Sequence, residues 1–142
     1  MDHIAIMKKS LKLTDKILSG QKTVESRWYK QKRAPWYKVS KGDNLYFKNS
    51  GEPVTIQAKV KKVIQFSNLD PSKIREILYN YSKVLGLEDS SFLYDLVRDK
   101  KYCILVYLDQ VHEVKPFFIN KSGFGNMSAW ISTDDVNKIV IT

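Results

Sequence analysis

The fold is decided by one stretch of sequence, Gly20-Gln21-Lys22-Thr23-Val24-Glu25-Ser26-Arg27-Trp28. From Lys22 onward its side chains alternate in character, which is typical of a β-strand. Val24, Ser26 and Trp28 share one face, and Thr23, Glu25, Arg27 and Tyr29 share the other. Such a strand places Glu25 and Arg27 on the same side, roughly 7 Å apart. The stretch therefore predicts a strand that presents a carboxylate beside a guanidinium.

A short helix is predicted immediately before this strand. Thr14 is a suitable N-cap, Ile17 and Leu18 are its apolar residues, and Gly20 is well placed to end it.

Strand signals continue after a basic loop. Gly42-Asp43 predicts a turn into a short strand from Leu45 to Lys48, and a second turn leads into a long alternating strand that starts at Val54. The alternation slips at Lys61-Lys62, which predicts a bulge or a sharp bend of the kind that closes a small barrel.

The second half begins with helical signals. Asp70-Pro71 predicts a helix start, and a second short helix is predicted around residues 92–97. The apolar run Tyr102–Leu108 predicts a central strand, Val111–Ile119 its hairpin partner, and Lys138–Ile141 a last strand.

These elements together predict an α+β fold, a small, partly closed antiparallel barrel decorated by short helices. The chain has 142 residues, of which 43% are apolar, and this is enough for one compact core. No repeat or long linker interrupts it, so we expect a single domain over residues 1–142.

The motif Gly20-x-Lys22-Thr23-x-Glu25-x-Arg27, followed by Gly42-Asp43 and by the strand from Val60 to Phe66, resembles the ASCH domain of the PUA-like superfamily. The resemblance covers roughly residues 4–119. The tail with Gly123, Gly125 and residues 127–130 resembles a prokaryotic branch of that family. The resemblance to the ASCH domain implies a pseudo-barrel with a cleft beside the motif lysine. It also implies RNA-linked roles, namely binding of RNA or modified bases and, in some members, hydrolysis.

The positive charge is concentrated in the first half of the chain. The formal net charge is +9, and residues 1–62 hold 15 Lys and Arg against 5 Asp and Glu. A one-sided basic surface suits the phosphate backbone of a nucleic acid, since each neutralised phosphate releases counterions. The other interpretation is an ordinary lysine-rich surface that is simply solvated.

The motif residues suit a planar, anionic ligand. Lys22 and Arg27 can bind phosphate or carbonyl oxygens, and Glu25 can accept hydrogen bonds from the amino edge of a base. In the alternative interpretation, Glu25 and Arg27 form an ion pair that only closes the barrel. The predicted ligand-binding residues, taken together, are Lys22, Thr23, Glu25, Arg27, Lys32, Arg33, Trp36, Lys48, Ser128 and Trp130.

Aromatic residues near the motif are candidate stacking platforms for a base. Trp36 lies among charged neighbours after Pro35, and Trp130 lies in a glycine-flanked loop, so both are expected to face a ligand. Trp28 shares a face with Val24 and is expected in the core. Lys32 and Arg33 are loop charges that either contact phosphates or are solvated.

If the protein is an enzyme, Lys22 and Glu25 are its predicted catalytic residues. One ASCH branch removes acyl groups from N4-acetylcytidine with a lysine, a threonine and a glutamate. Lys22 matches that lysine, but Glu25 stands where the branch has its threonine, and Glu76 is only a guess for the distal glutamate. The alternatives of a binding module and a hydrolase acting on an acylated nucleoside or an RNA phosphodiester therefore both stay open.

Several classes of protein are excluded. No run of 18 apolar residues suits a membrane span, and the first residues lack the order of a signal peptide, so a cytoplasmic location is expected. The single Cys103 lies in an apolar run and is expected to be buried. His3 and His112 are too few and too distant for a metal site, and we expect neither metal nor cofactor.

Overall fold

A curled mixed sheet forms the body of the protein in the computed structural model, which describes residues 1–125 and 128–141. Asn126, Met127 and Thr142, which fall within the predicted glycine-flanked loop and at the end of the predicted domain, lie outside the described residues. The strands are β1 (Asp2–Met7), β2 (Val24–Tyr29), β3 (Asn44–Asn49), β4 (Val54–Phe66), β5 (Tyr102–Ile119), β6 (Trp130–Thr133) and β7 (Val140–Ile141). The helices are α1 (Leu13–Ser19), α2 (Pro71–Tyr81) and α3 (Ser91–Val97), with short 3-10 turns at Lys9–Leu11 and Val136–Lys138.

The strand order is β2-β5-β4-β3-β1-β6, and β7 adds to the far end of β5. The sheet curls into a half-barrel whose edge strands, β2 and β6, are not paired with each other. We call the gap between them the seam. The predicted α+β class, a partly closed barrel with short helices, is confirmed, with one difference in detail: β1 and β3 run parallel.

Two long strands, β4 and β5, form the spine of the sheet. They pair antiparallel from Val54 opposite Phe117 to Phe66 opposite Cys103. The ladder shifts register between Val60 and Lys62, so the bulge predicted from the slip in alternation is confirmed. Residues 67–101, the helical insertion, connect the two strands at one end.

The predicted hairpin between Tyr102–Leu108 and Val111–Ile119 is wrong, because these residues form one continuous strand. Gln110 has φ 50°. This left-handed residue takes up the bend inside the strand, while both halves keep pairing with β4. The polar Asp109-Gln110 pair therefore marks a bulge and not a turn.

Helix ends follow the sequence except at the start of α1. Gly20 ends α1 with φ 85°, and the Asp70 carboxylate caps α2 by accepting from the Lys73 N–H at 2.8 Å. The predicted Thr14 cap is wrong, because α1 starts at Leu13 after Lys12, which has φ 54°. The Thr14 side chain is buried, and its hydroxyl donates to Asn49.

Of the three apolar clusters among the described residues, two lie on opposite sides of β5. Inside the curl, Phe47, Ile104 and Val106 pack with residues of β1 and β3, while Cys103 and Leu105 point outward against α2. Cys103 is fully buried, as predicted. The helical insertion is thereby fixed to the outer face of β5, beside β2. Among the helices of the described residues, none is long and apolar enough to cross a membrane.

Candidate ligand-binding cleft

A cleft of about 1130 Å³ lies beside the seam. Its walls come from the 20–29 region, the N-terminal segment around Met7, the end of the helical insertion and the loop that precedes β6. Six cationic and three acidic side chains line it: Lys8, Lys16, Lys22, Arg27, Arg33, Lys100, Glu25, Glu88 and Asp89. The lining of the cleft is therefore net positive.

Backbone hydrogen bonds attach the motif to the helical insertion. The N–H groups of Thr23 and Val24 both donate to the Val84 carbonyl, at 2.9 and 3.1 Å. The Lys22 N–H donates back to the Lys16 carbonyl at 3.0 Å, across the Gly20 turn. This local arrangement fixes the Lys22 side chain at the junction of α1, β2 and the insertion.

Lys22 is buried, and its ammonium group is fully partnered. Nζ donates to the carbonyls of Val24 at 2.8 Å and Leu85 at 3.1 Å, and it lies 3.2 Å from Glu25 Oε1. Three acceptors match the three donors of an ammonium group. Burial lowers the pKa of Lys22, and the nearby Glu25 carboxylate opposes that shift only in part.

Glu25 is the carboxylate at the centre of the site, and its side chain is 4% exposed. Oε1 accepts from the Ser26 N–H at 3.1 Å, and Oε2 accepts from Arg27 at 2.9 Å. Burial by itself would raise the pKa of Glu25, but the Lys22 and Arg27 charges outweigh burial and lower it. Glu25 is therefore ionised at neutral pH and binds the two cations together. We call Lys22, Glu25 and Arg27 the charged cluster.

Arg27 extends across the seam from β2 toward β1 and β6. Its guanidinium donates to the Ala129 carbonyl at 3.2 Å and lies 5.4 Å from the centre of the Trp130 ring. Within the described residues, the buried Arg27 Nε has no hydrogen-bond partner. The side chain is 13% exposed, more than Lys22 or Glu25, so Arg27 is the member of the charged cluster most open to a ligand. The ion pair predicted as an alternative is present within β2, and the contact across the seam is the Arg27 hydrogen bond to the Ala129 carbonyl.

Gly86 makes room for Lys22. It has φ 76°, and a Cβ atom built on it would lie 3.0 Å from the Lys22 Cβ. The Lys16 ammonium also donates to the Gly86 carbonyl at 2.8 Å. A side chain at residue 86 is thus disfavoured both by backbone conformation and by lack of space.

A buried histidine supports the cleft from behind. Trp130 Nε1 lies 3.2 Å from His3 Nδ1, and His3 Nε2 lies 2.8 Å from Asp43 Oδ2. An indole N–H only donates, so Nδ1 is the acceptor and the proton lies on Nε2. Ser132 Oγ lies 2.8 Å from the same Nδ1. Burial lowers the pKa of His3 despite its Asp43 partner. Nothing in the sequence indicated this arrangement, because its members are far apart along the chain.

One wall of the cleft is apolar. Phe92 and Leu96 of α3 are 53% and 55% exposed, and Leu93 and Leu87 lie beside them. The sequence predicted the helix that carries them but gave no sign that it faces the motif. An apolar wall opposite a net-positive region suits a ligand that has both a flat apolar part and an anionic part.

The structure brings together six of the predicted site residues. Lys22, Glu25, Arg27, Arg33, Ser128 and Trp130 all line the cleft. Trp28, expected in the core, is half-buried and also lines it, with its Nε1 donating to Ser26 at 3.0 Å. Thr23, Lys32, Trp36 and Lys48 do not line the cleft, and neither does Glu76, which is exposed on α2.

Trp36 is expected from the sequence to face a ligand as a stacking platform, but its ring is buried. Trp36 is 7% exposed, and its ring packs edge-on against Tyr102 with 5.2 Å between ring centres. Burial of the apolar Trp36 ring is favourable even though its sequence neighbours are charged, and the ring packs in the barrel core. Lys32 lies nearby on the surface, where Nζ donates to Tyr37 at 3.2 Å. Lys48 is buried on β3, and burial lowers its pKa.

The described residues contain no group of three or more His, Cys, Asp or Glu side chains that could hold a metal ion.

Comparison with solved structures identifies the architecture. ASCH from Zymomonas mobilis superposes with a TM-score of 0.69 and 14% identity, covering 96% of this chain and 91% of the other. A point mutant of ZmASCH from Zymomonas mobilis gives a TM-score of 0.70, with 96% and 93% of the two chains covered. The chain has the ASCH fold.

A further solved structure, of a different protein, extends the comparison. The hypothetical protein PH0355 superposes on the ASCH fold of this chain with a TM-score of 0.53, at 17% identity over 80% of this chain and all of the other. No family model matches the sequence, and the search of curated proteins gives no match. The fold predicted from the motif is thus confirmed by structure, at identities too low to carry a function.

Proposed function

We propose that the protein binds RNA or a base-modified nucleotide in the cleft. The observation that carries the proposal is the charged cluster, which places Arg27 over Trp130 at the seam, opposite the apolar wall of α3. The ASCH fold supports the proposal, since the motif resemblance implies RNA-linked roles.

Each part of the cleft suits one part of a nucleotide. The Arg27 guanidinium, held by Glu25, suits a base carbonyl or a phosphate oxygen. The exposed Phe92 ring and Leu96 side chain of α3 suit the flat face of a base. Lys8 and Arg33 are exposed at the rim of the cleft and suit the flanking phosphates. Glu25 has the indirect role of orienting Arg27, because its own oxygens are covered.

The test measures binding of a dinucleotide and of free modified nucleosides to Arg27 variants by calorimetry. Arg27→Lys keeps the charge but loses the planar guanidinium with its paired N–H donors. We therefore expect a loss of affinity of about tenfold or more, as for other bidentate contacts. Lys73→Ala, on the exposed side of α2, is the control and is expected to bind as the parent does. Equal affinities of the parent and Arg27→Lys would contradict the proposal.

Lys22 provides a specific reason to test a second function, hydrolysis of an acylated nucleoside. A buried lysine with a lowered pKa can act as a general base. Its neutral amine would take a proton from water while the oxygen of that water adds to the acyl carbon. The Lys22 ammonium then returns this proton to the base nitrogen as the bond from the acyl carbon to that nitrogen breaks. A carboxylic acid and the free amine of the base are released, and Lys22 is neutral again. Binding is favoured over this reaction because protein acceptors occupy all three Nζ donors.

Incubation with N4-acetylcytidine distinguishes the two functions. Cytidine and acetate formed by the parent but not by Lys22→Arg would establish hydrolysis, provided the variant remains folded by circular dichroism. If no product forms at high protein concentration while the dinucleotide still binds, the cleft is a binding site.

A further inference from the structure

A second basic surface lies outside the cleft. Lys41, Lys59, Lys61 and Lys62 line one groove of about 760 Å³ between the 40–43 loop and the bulged middle of β4 and β5. We call it the lysine groove. It shares no lining residue with the cleft, and it contains one acidic side chain, Asp109.

The bulge in β4 creates this concentration of charge. Successive side chains of a regular strand point to opposite faces, so Lys61 and Lys62 would not both face solvent. The register shift between Val60 and Lys62 breaks the alternation, and both lysines are exposed while Val60 stays buried. Gln110, with φ 50°, lies in the facing part of β5. The two irregularities together open the groove.

The lysine charges of the groove are not neutralised within the described part of the chain. In the described residues, none of the four lysines forms an ion pair, although Asp109 is the cross-strand neighbour of Lys59. The Asp109 carboxylate instead accepts from the Gln110 N–H at 3.0 Å. Lys62 rests on the Tyr107 ring, with its Nζ 5.4 Å from the ring centre. The lysine groove thus differs from the charged cluster, in which Lys22 and Arg27 are both paired with Glu25.

We propose that the lysine groove binds the phosphate backbone of single-stranded RNA as a second, sequence-independent contact. Four ammonium groups in a concave surface, with no ion-pair partner in the described part of the chain, are an arrangement that releases counterions from a polyanion. An anionic membrane is a poorer match, because membrane-binding surfaces add exposed bulky apolar side chains and the groove has only Val60 and Val63. The proposal does not depend on what the cleft binds.

The experiment measures the salt dependence of binding to an unstructured oligouridine. Lys59, Lys61 and Lys62 are changed together to Gln. The control changes Lys73, Lys83 and Lys115 in the same way, because these three exposed lysines form no ion pair with another described residue. The slope of log affinity against log salt is expected to become shallower by about 2 in the groove variant, from about 0.7 per contact on single strands. Replacing the same three lysines by Arg is expected to restore the slope.

Two outcomes would overturn the proposal. One is an equal change of slope in the groove and control variants, which would indicate general charge attraction. Another is an unchanged oligouridine slope combined with lost binding to phosphatidylserine vesicles, which would assign the groove to membranes. Dinucleotide binding in the cleft is measured alongside and is expected to be the same in the groove variant and the parent. Failure of the cleft proposal, seen as no dinucleotide binding by the parent, leaves the oligouridine result interpretable.

Discussion

The cleft and the lysine groove carry positive charge in opposite ways. In the cleft, Lys22 and Arg27 are held by one buried carboxylate, Glu25, and by backbone carbonyls at fixed distances. In the groove, Lys61 and Lys62 face solvent without an ion-pair partner among the described residues. The arrangement in the cleft fixes the positions of the charged groups, whereas the exposed lysines of the groove provide long-range electrostatic attraction for anions.

Because of this difference, substitutions in the cleft are expected to change stability, whereas substitutions in the groove are expected to change mainly long-range electrostatic attraction. Removing one member of a buried ion pair leaves an uncompensated charge in a poorly solvated place, so stability falls. Removing an exposed, unpaired lysine leaves the fold almost unchanged and alters only long-range attraction. Substitutions in the two regions are therefore expected to differ both in size and in what they affect.

Lys22→Met is expected to have the largest effect. It keeps the apolar stem but removes one of the two cations that partner Glu25 and leaves the buried Val24 and Leu85 carbonyls without their Lys22 donor. The expected loss of unfolding free energy is about 3–5 kcal/mol. Chemical denaturation measures it. Lys48→Met is the matched control, since Lys48 is also a buried lysine but has no ion pair among the described residues. Equal losses for the two variants would show that burial, and not pairing with Glu25, determines the effect.

Gly86→Ala is expected to come next. The positive φ of residue 86 disfavours Ala by about 1 kcal/mol, and the 3.0 Å approach to the Lys22 Cβ adds an overpacking penalty of about 1–3 kcal/mol. Gly51→Ala is the control, because Gly51 has φ 78° but nothing within 4 Å of a built Cβ. Thermal melting of both variants isolates the packing part. A Gly86→Ala loss no larger than that of Gly51→Ala would mean that the Lys22 region adjusts freely.

The fold was predictable from sequence wherever local signals agree with burial. The alternation around Glu25, the slip at Lys61-Lys62 and the Asp70-Pro71 helix start all correspond to what forms. The errors arise where tertiary pairing overrides local signals. Asp109-Gln110 resembles a turn, yet both flanks pair with β4, and β1 gave no strand signal although it pairs with β3 and β6.

The site was predictable only as far as residues lie close together in sequence. The motif placed Glu25 beside Arg27 because strand geometry determines that distance. No local pattern shows that Phe92 and Leu96 face the motif, or that His3 supports Trp130, since the helical insertion and the curl of the sheet bring them together. For Trp36 the local sequence was misleading, because its charged neighbours indicated an exposed ring that is in fact buried.

Stability is expected to fall on acidification below about pH 6.5 because of His3. The pKa of folded His3 lies below its usual 6.5, so in that window the unfolded chain binds a proton that the folded chain does not. Stability therefore rises with pH through the window, by at most about 1.4 kcal/mol per pH unit. Denaturation of the parent and of His3→Gln between pH 5 and 8 measures the difference. Parallel pH profiles for the two proteins would exclude His3 as the source.

The smallest effect on stability is expected where the effect on RNA binding is large. Replacing Lys59, Lys61 and Lys62 together by Gln removes no ion pair among the described residues, and surface changes of this kind usually stay within about 0.5 kcal/mol per site. Relief of repulsion among neighbouring ammonium groups opposes any loss, so the net change is expected to be near zero or slightly stabilising. Denaturation at low and high salt tests this, because screening removes the repulsion in the parent but has little to remove in the variant. A clear destabilisation that persists at high salt would show that the lysine stems pack against the bulge and help to hold it open.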